Sequence, residues 1–132
     1  MIQQSEIKTI LEDYDQLKLR IGMTASHSAL DLCDGAIEEG FPTVAYCQKG
    51  RERIYSEYFR TQRSSSGRVR RGMVDKTVVL DRFDGILNSE FQQGMRDRNM
   101  IFIPNRAFTS YCGIDRIENE FRVPMFGTRS ML

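Results

Sequence analysis

Apolar positions along the chain fall into short blocks whose period switches between helical and extended spacing. Residues 5–17 carry Ile7, Ile10, Leu11, Tyr14 and Leu17 at intervals of three and four, which predicts a leading helix with Ser5 as its N-cap. Residues 18–24 read as a first strand. Residues 28–39 read as a helix with Leu30, Cys33, Ala36 and Ile37 on one face and Gly40 at the C-terminal stop. Residues 43–48 are mostly apolar, as in a strand covered on both faces. Residues 50–59 gather Ile54, Tyr55, Tyr58 and Phe59 in a helical pattern. A third strand is expected over residues 75–81 around Val78, Val79 and Leu80, a helix over 86–98, and a fourth strand over 100–104. Strand, helix and next strand form βαβ units, whose crossovers are right-handed in roughly 98% of cases. The predicted fold is therefore α/β, a Rossmann-like three-layer domain with a mainly parallel sheet, spanning residues 1–132 as one unit.

Residues 60–72 break this pattern, with five arginines and almost no apolar side chain. Low hydrophobicity with high charge does not offset ordering entropy, so a solvated, mobile loop is expected rather than a packed element. A sharper reading has Arg68, Arg70 or Arg71 closing over an anionic ligand or meeting an acidic partner surface.

Composition narrows the function classes. A chain of 132 residues with 40% hydrophobic content supplies one core, and two full domains would not fit. A formal net charge of +1 gives no electrostatic case for a nucleic-acid binder. Cys33, Cys47 and Cys112 are odd in number, widely spaced and set among apolar neighbours. They read as free buried thiols in a reducing compartment, not as a disulfide framework or a metal site. No apolar stretch approaches the roughly 20 residues of a membrane span, and the first residues lack the apolar core of a secretory signal, so a cytoplasmic protein is expected.

Candidate chemistry starts at residues 21–28, where a strand, a tight turn and a helix N-terminus follow one another. The first turn of a helix leaves N–H groups without intrahelical partners, and the helix dipole adds partial positive charge, so such a place holds anions. Gly22, Thr24, Ala25 and Ser26 allow close approach to the backbone, and His27 is the chain's single histidine. Ser26, His27 and Ser28 are thus candidate binding residues, with Lys49 and Arg51 in the next strand's turn as further phosphate partners. The fourth strand ends in a polar turn containing Asn105 and Arg106. In open α/β sheets ligands sit outside the carboxyl ends of strands, so the two turns would share a crevice if their strands are neighbours. Asp115 and Glu118 carry acid or base chemistry in principle, but beside Gly113 they read as helix-start residues. Tyr46, Tyr55, Phe59, Phe102 and Phe108 read as core.

The blocks Gly22-Met-Thr-Ala-Ser-His-Ser-Ala-Leu30, Glu39-Gly-Phe-Pro-Thr-Val44, Lys49-Gly-Arg51, Tyr111-Cys-Gly-Ile-Asp115 and Glu118-Asn-Glu-Phe-Arg-Val-Pro-Met-Phe-Gly127, in that order, resemble the N-terminal domain of the archaeal PurP family. That family is the formate-dependent, ATP-grasp ligase that makes 5-formamidoimidazole-4-carboxamide ribonucleotide (FAICAR) from AICAR, ATP and formate in purine biosynthesis. The resemblance implies a pre-ATP-grasp domain that seats the ribonucleotide. ATP and Mg2+ would be bound mostly by ATP-grasp domains absent from this chain, which itself would hold no metal. It further implies that His27 matches the family's histidine at the AICAR ribonucleotide and Ser26 the serine before it. The family's fourth-strand turn is similar to Pro-His-Gly-Ser-Phe, whereas this chain reads Pro104-Asn-Arg-Ala-Phe108, placing Asn105, Arg106 and Ala107 at the substrate. The alternative is a paralogue, or a stand-alone Rossmann-like module, binding a different phosphorylated small molecule. The implied partners are an AICAR-like ribonucleotide, formate and the ATP-grasp domains, with a homo-oligomer possible by association of apolar surface at Val123, Met125, Phe126, Met131 and Leu132.

Overall fold

The computed structural model describes residues 1–26 and 28–127. The first element is a helix, α1 (Gln4–Glu12), followed by a 3-10 turn (Gln16–Lys18). Then come β1 (Arg20–Thr24), α2 (Ala29–Glu38), β2 (Thr43–Gln48), a short π-helical turn (Ile54–Tyr58), and the strands β3 (Gln62–Arg63), β4 (Val69–Arg71) and β5 (Lys76–Leu80). A second 3-10 turn (Phe83–Leu87), α3 (Ser89–Asp97), β6 (Met100–Phe102), α4 (Arg106–Cys112) and α5 (Ile114–Glu120) follow among the described residues.

Four strands form one parallel sheet in the order β5-β2-β1-β6. Period-two alternation sends its side chains to two cores. Met23, Ala45 and Cys47 join Ala29 and Cys33 of α2 with Tyr55 and Phe59 on one face. Val44, Tyr46, Met100 and Phe102 join Met95, Phe108, Ile117 and Phe121 on the other. Helices on both faces of a parallel sheet make the expected three-layer Rossmann-like domain. A Cβ at Gly22 of β1 would meet the end of the Met100 side chain of β6, so a larger residue there would require that buried methionine to shift. Phe102, Phe108 and Phe121 meet with ring centroids 4.7 to 5.1 Å apart, a packed aromatic triad under the β6 turn.

Several elements depart from the sequence reading. The leading helix ends at Glu12 rather than residue 17, its N-cap is Gln3 rather than Ser5, and Leu17 is 96% exposed. Asp15 accounts for that break: its side chain accepts from the Leu17 N–H at 3.0 Å, and its own N–H donates to Asn99. The predicted helix over 86–98 is split by Asn88, whose extended backbone (ψ 139°) separates the 3-10 turn from α3. Residues 60–72 are the largest correction. They form the antiparallel hairpin β3–β4, not a structureless loop. Order comes from one buried-side anchor: Asp75 accepts from Arg63 Nε at 2.8 Å and Nη2 at 2.9 Å, from Thr61 Oγ1 at 2.7 Å and from the Thr43 N–H at 2.9 Å. Because Thr43 begins β2, this anchor sets the hairpin at the amino end of the sheet.

All three cysteines are buried and free. Burial pushes Cys33 and Cys47 up to about 12 and Cys112 up to about 11. No helix among the described residues is long and apolar enough to cross a membrane.

Candidate functional site

The sheet order puts β1 between β2, reached through α2, and β6, reached last, so the direction of winding reverses between β1 and β6. Crevices at such a switch point, outside the carboxyl ends of the strands, are where open α/β sheets take ligands. Here the two flanking turns are tied together by one side chain. Thr24 closes β1; its Oγ1 donates to Asn105 Oδ1 at 3.0 Å, and its carbonyl accepts from Asn105 Nδ2 at 2.7 Å. The same Oδ1 accepts from the Phe108 N–H at 3.1 Å, so Asn105 also caps α4. Below this clamp the Ile103 N–H donates to the Gly22 carbonyl at 2.9 Å.

On the β1 side, Ser26 and Ser28 are half-buried. The Ser26 carbonyl accepts from the Ala29 N–H at 2.9 Å and from the Tyr55 hydroxyl at 3.4 Å, and the Ser28 carbonyl accepts from the Leu32 N–H at 3.0 Å. Ser28 is the N-cap of α2, and its side chain makes no capping bond to the helix. The Ala25 N–H is used in the ladder to the Tyr46 carbonyl at 2.9 Å, so it is not open to a ligand. His27 lies outside the described residues.

On the β2 side, Lys49 and Arg51 are exposed in a tight turn built on Gly50, whose φ of +92° suits glycine. Backbone bonds from Lys49 to Leu80 at 2.7 Å and from Arg51 to Gln48 at 3.0 Å hold that turn on the carboxyl edge. On the β6 side, Arg106 is exposed as the first residue of α4, whereas Ala107 is buried at 7% exposure. The structure therefore brings the turns of Ser26, Lys49 and Asn105 to one edge of the sheet, but it gives Asn105 a bracing task and turns the Ala107 methyl into the interior. Asp115 sits in the first turn of α5, as the sequence suggests. Thr24 was read only as a small residue allowing approach to the backbone, and its bracing bonds to Asn105 were not legible. Its signal is a polar residue ending an otherwise apolar strand, fully buried here.

The arginine hairpin stands at the opposite end of the strands, so Arg68, Arg70 and Arg71 do not close over this crevice. Of the apolar set expected to lie open, Val123 is fully buried and Phe126 is 73% exposed. Met125, half-buried, lines a groove of about 780 Å³ with Ile2, Ile7 and Leu11. Met131 and Leu132 lie outside the described residues.

A parallel sheet with helices on both faces, its winding reversed between β1 and β6 and its carboxyl edge flanked by hydroxyls, main-chain turns and the cations Lys49, Arg51 and Arg106, defines a class: open, Rossmann-like α/β domains. Within that class the chain belongs to the family described as "Protein of unknown function (DUF1246)", whose sequence model matches residues 21–132. It is 39% identical over 132 residues to the 5-formaminoimidazole-4-carboxamide-1-(beta)-D-ribofuranosyl 5'-monophosphate synthetase of Methanopyrus kandleri, covering 100% of this chain and 33% of that protein. To the synthetase of the same name from Methanobrevibacter smithii it is 37% identical over 131 residues, covering 99% of this chain and 32% of that protein. The crystal structure of an IMP biosynthesis protein PurP from Thermococcus kodakaraensis is similar with a TM-score of 0.61 and 30% identity, covering 85% of this chain and 30% of that one. The chain thus spans about a third of the length of the relatives it matches.

Proposed function

We propose that this chain is the N-terminal, ribonucleotide-seating domain of an ATP-dependent ligase that joins formate to the amine of AICAR to give FAICAR. The observation that carries the reading is the Thr24–Asn105 clamp, which holds the β1 and β6 turns together at the switch point of a domain related to named FAICAR synthetases. In this reading the ligand's phosphate rests at the α2 N-terminus between Ser26 and Ser28, with His27 as donor or cation, and with Lys49, Arg51 and Arg106 completing charge neutralisation. The work of the domain is positioning: a bound ribonucleotide presents its amine at a fixed place, converting an encounter into an effectively intramolecular step.

The parent enzyme's ATP supplies a phosphoryl group to activate formate. The donor set at this crevice, amides, hydroxyls and cations, fits a phosphate ester; Mg2+ asks for carboxylate and phosphate oxygens, which the ATP-grasp domains and the nucleotide would provide. A second reading, a paralogous ligase taking a related phosphorylated imidazole, is favoured by one observation. Ala107 is buried and has no hydroxyl to offer where the resembled family places a substrate-contacting serine.

Thermal-shift titration of the polypeptide with AICAR, ATP and inorganic phosphate tests the assignment. AICAR is expected to stabilise at lower concentration than inorganic phosphate, and His27→Ala to weaken that effect at least tenfold. Stabilisation that survives the substitution unchanged would remove the histidine from the site, and stabilisation by phosphate alone would remove AICAR.

A further inference from the structure

The β3–β4 hairpin and the end of α2 occupy one pole of the domain, opposite the crevice. Asp75 ties the hairpin to the first residue of β2, and α2 ends just before that strand, with the Phe41 N–H bonded back to the Ala36 carbonyl at 2.8 Å. Arg63 is consumed in holding the hairpin. Arg60, Arg68, Arg70 and Arg71 are exposed, and among the described residues none of them forms an ion pair. Four guanidinium groups on a fixed ribbon repel one another and gain nothing within the chain.

The reverse imbalance lies on α2. Asp31, Asp34 and Glu38 follow one another at intervals of three and four on an exposed stripe, and Glu39 is the C-cap. The last turn of α2 contains no basic residue. A helix C-terminus carries partial negative charge, which favours cations and disfavours carboxylates, so Glu38 and Glu39 sit at the unfavourable end with no cation to compensate. Among the described residues no ion pair involves Asp34, Glu38 or Glu39.

We propose that the two imbalances are matched between copies: the arginine hairpin of one copy seats against the Glu38–Glu39 end of α2 in a second copy, and the contact is returned across a two-fold axis. Basic and acidic halves on one pole of the same molecule make a self-complementary patch, which is what an isologous dimer requires. A polyanion such as RNA is the weaker match, because the acidic helix end beside the hairpin repels it and the chain's net charge is only +1.

Sedimentation velocity of the full polypeptide at about 50 mM and about 500 mM NaCl tests the pairing, since exposed charge pairs are screened over that range. A dimer is expected at low salt, with its dissociation constant rising tenfold or more at high salt. Arg68→Glu/Arg70→Glu/Arg71→Glu and Glu38→Arg/Glu39→Arg should each weaken the dimer at least tenfold, and mixing the two variants should restore association as a heterodimer. Hydrogen exchange of the unaltered protein gives a readout that needs no substitution: residues 34–41 and 60–74 should lose protection together on raising salt. A monomer at low salt, a dimer indifferent to salt and to both substitutions, or a mixture that fails to associate would each overturn the proposal.

Discussion

The Asn105 carboxamide joins Thr24 twice and the Phe108 N–H once, so Asn105→Ala deletes a helix cap and leaves a fully buried threonine without partners. A loss of about 2 kcal/mol in urea unfolding is expected, together with weaker ligand binding, since the two turns are then no longer held together. Asn105→Asp should keep the cap while losing the donor to the Thr24 carbonyl, and so should fall between. Alkaline sensitivity is a second consequence of single residues. The folded state holds Cys33 and Cys47 near 12 and Cys112 near 11, all above the ordinary thiol value of 9.0, because burial penalises the thiolate. A raised folded value means that the native chain binds the proton more tightly. This contribution is therefore fully present below about pH 9, and stability should fall as pH climbs from there through 11 to 12, read as a dropping urea midpoint. That the cysteines are buried and unpaired was legible from their odd count and apolar neighbours. The bracing part played by Thr24 was not, because a polar residue at a strand end looks like any turn residue until the neighbouring strand is known.

At the scale of elements, residues 43–48 show why some segments read cleanly: their near-continuous apolar run can only be buried on both faces, and β2 has those bounds. Helix boundaries read poorly where a side chain competes with the helix for the backbone, as Asp15 does after α1. The hairpin was illegible for another reason. Its order is imported from Asp75, a residue outside the arginine-rich stretch, whose carboxylate collects bonds from Thr43, Thr61 and Arg63 while only 16% exposed. Composition counts what a segment contains and not what reaches in to hold it. Asp75→Ala is accordingly expected to cost about 3 kcal/mol and to accelerate amide exchange throughout residues 60–74, whereas Arg70→Ala should leave both unchanged within error at about 500 mM NaCl, where charge pairs between copies are screened. Gly72 belongs to the same joint: its φ of +78° and its closeness to the Arg60 carbonyl leave no place for a Cβ, so Gly72→Ala should also loosen the hairpin.

At the scale of the molecule, the strands separate two tasks. Their carboxyl ends carry the edge proposed to seat a ligand, and their amino ends carry the charged pole, with two packed cores between. Substitutions at Glu38, Glu39 or Arg70 should therefore alter association without changing AICAR binding, and substitutions at Ser26 or Arg106 should do the reverse; isothermal titration beside sedimentation separates the two. The sheet and its parallel sense were readable from the alternation of elements, whereas the meeting of the first and last strands' turns depended on β1 and β6 being neighbours, which the sheet order supplies. Which pole the arginines occupy was not, since that depends on the number of times the chain crosses the sheet between β2 and β5. The interior placement of every cysteine in the chain has a practical use. The native molecule offers no reactive sulfur to a maleimide, so Ser65→Cys, at the exposed tip of the hairpin, would create a single addressable handle. A fluorophore attached there reports on events at that pole alone, and its anisotropy would follow subunit contact without disturbing the crevice at the far end.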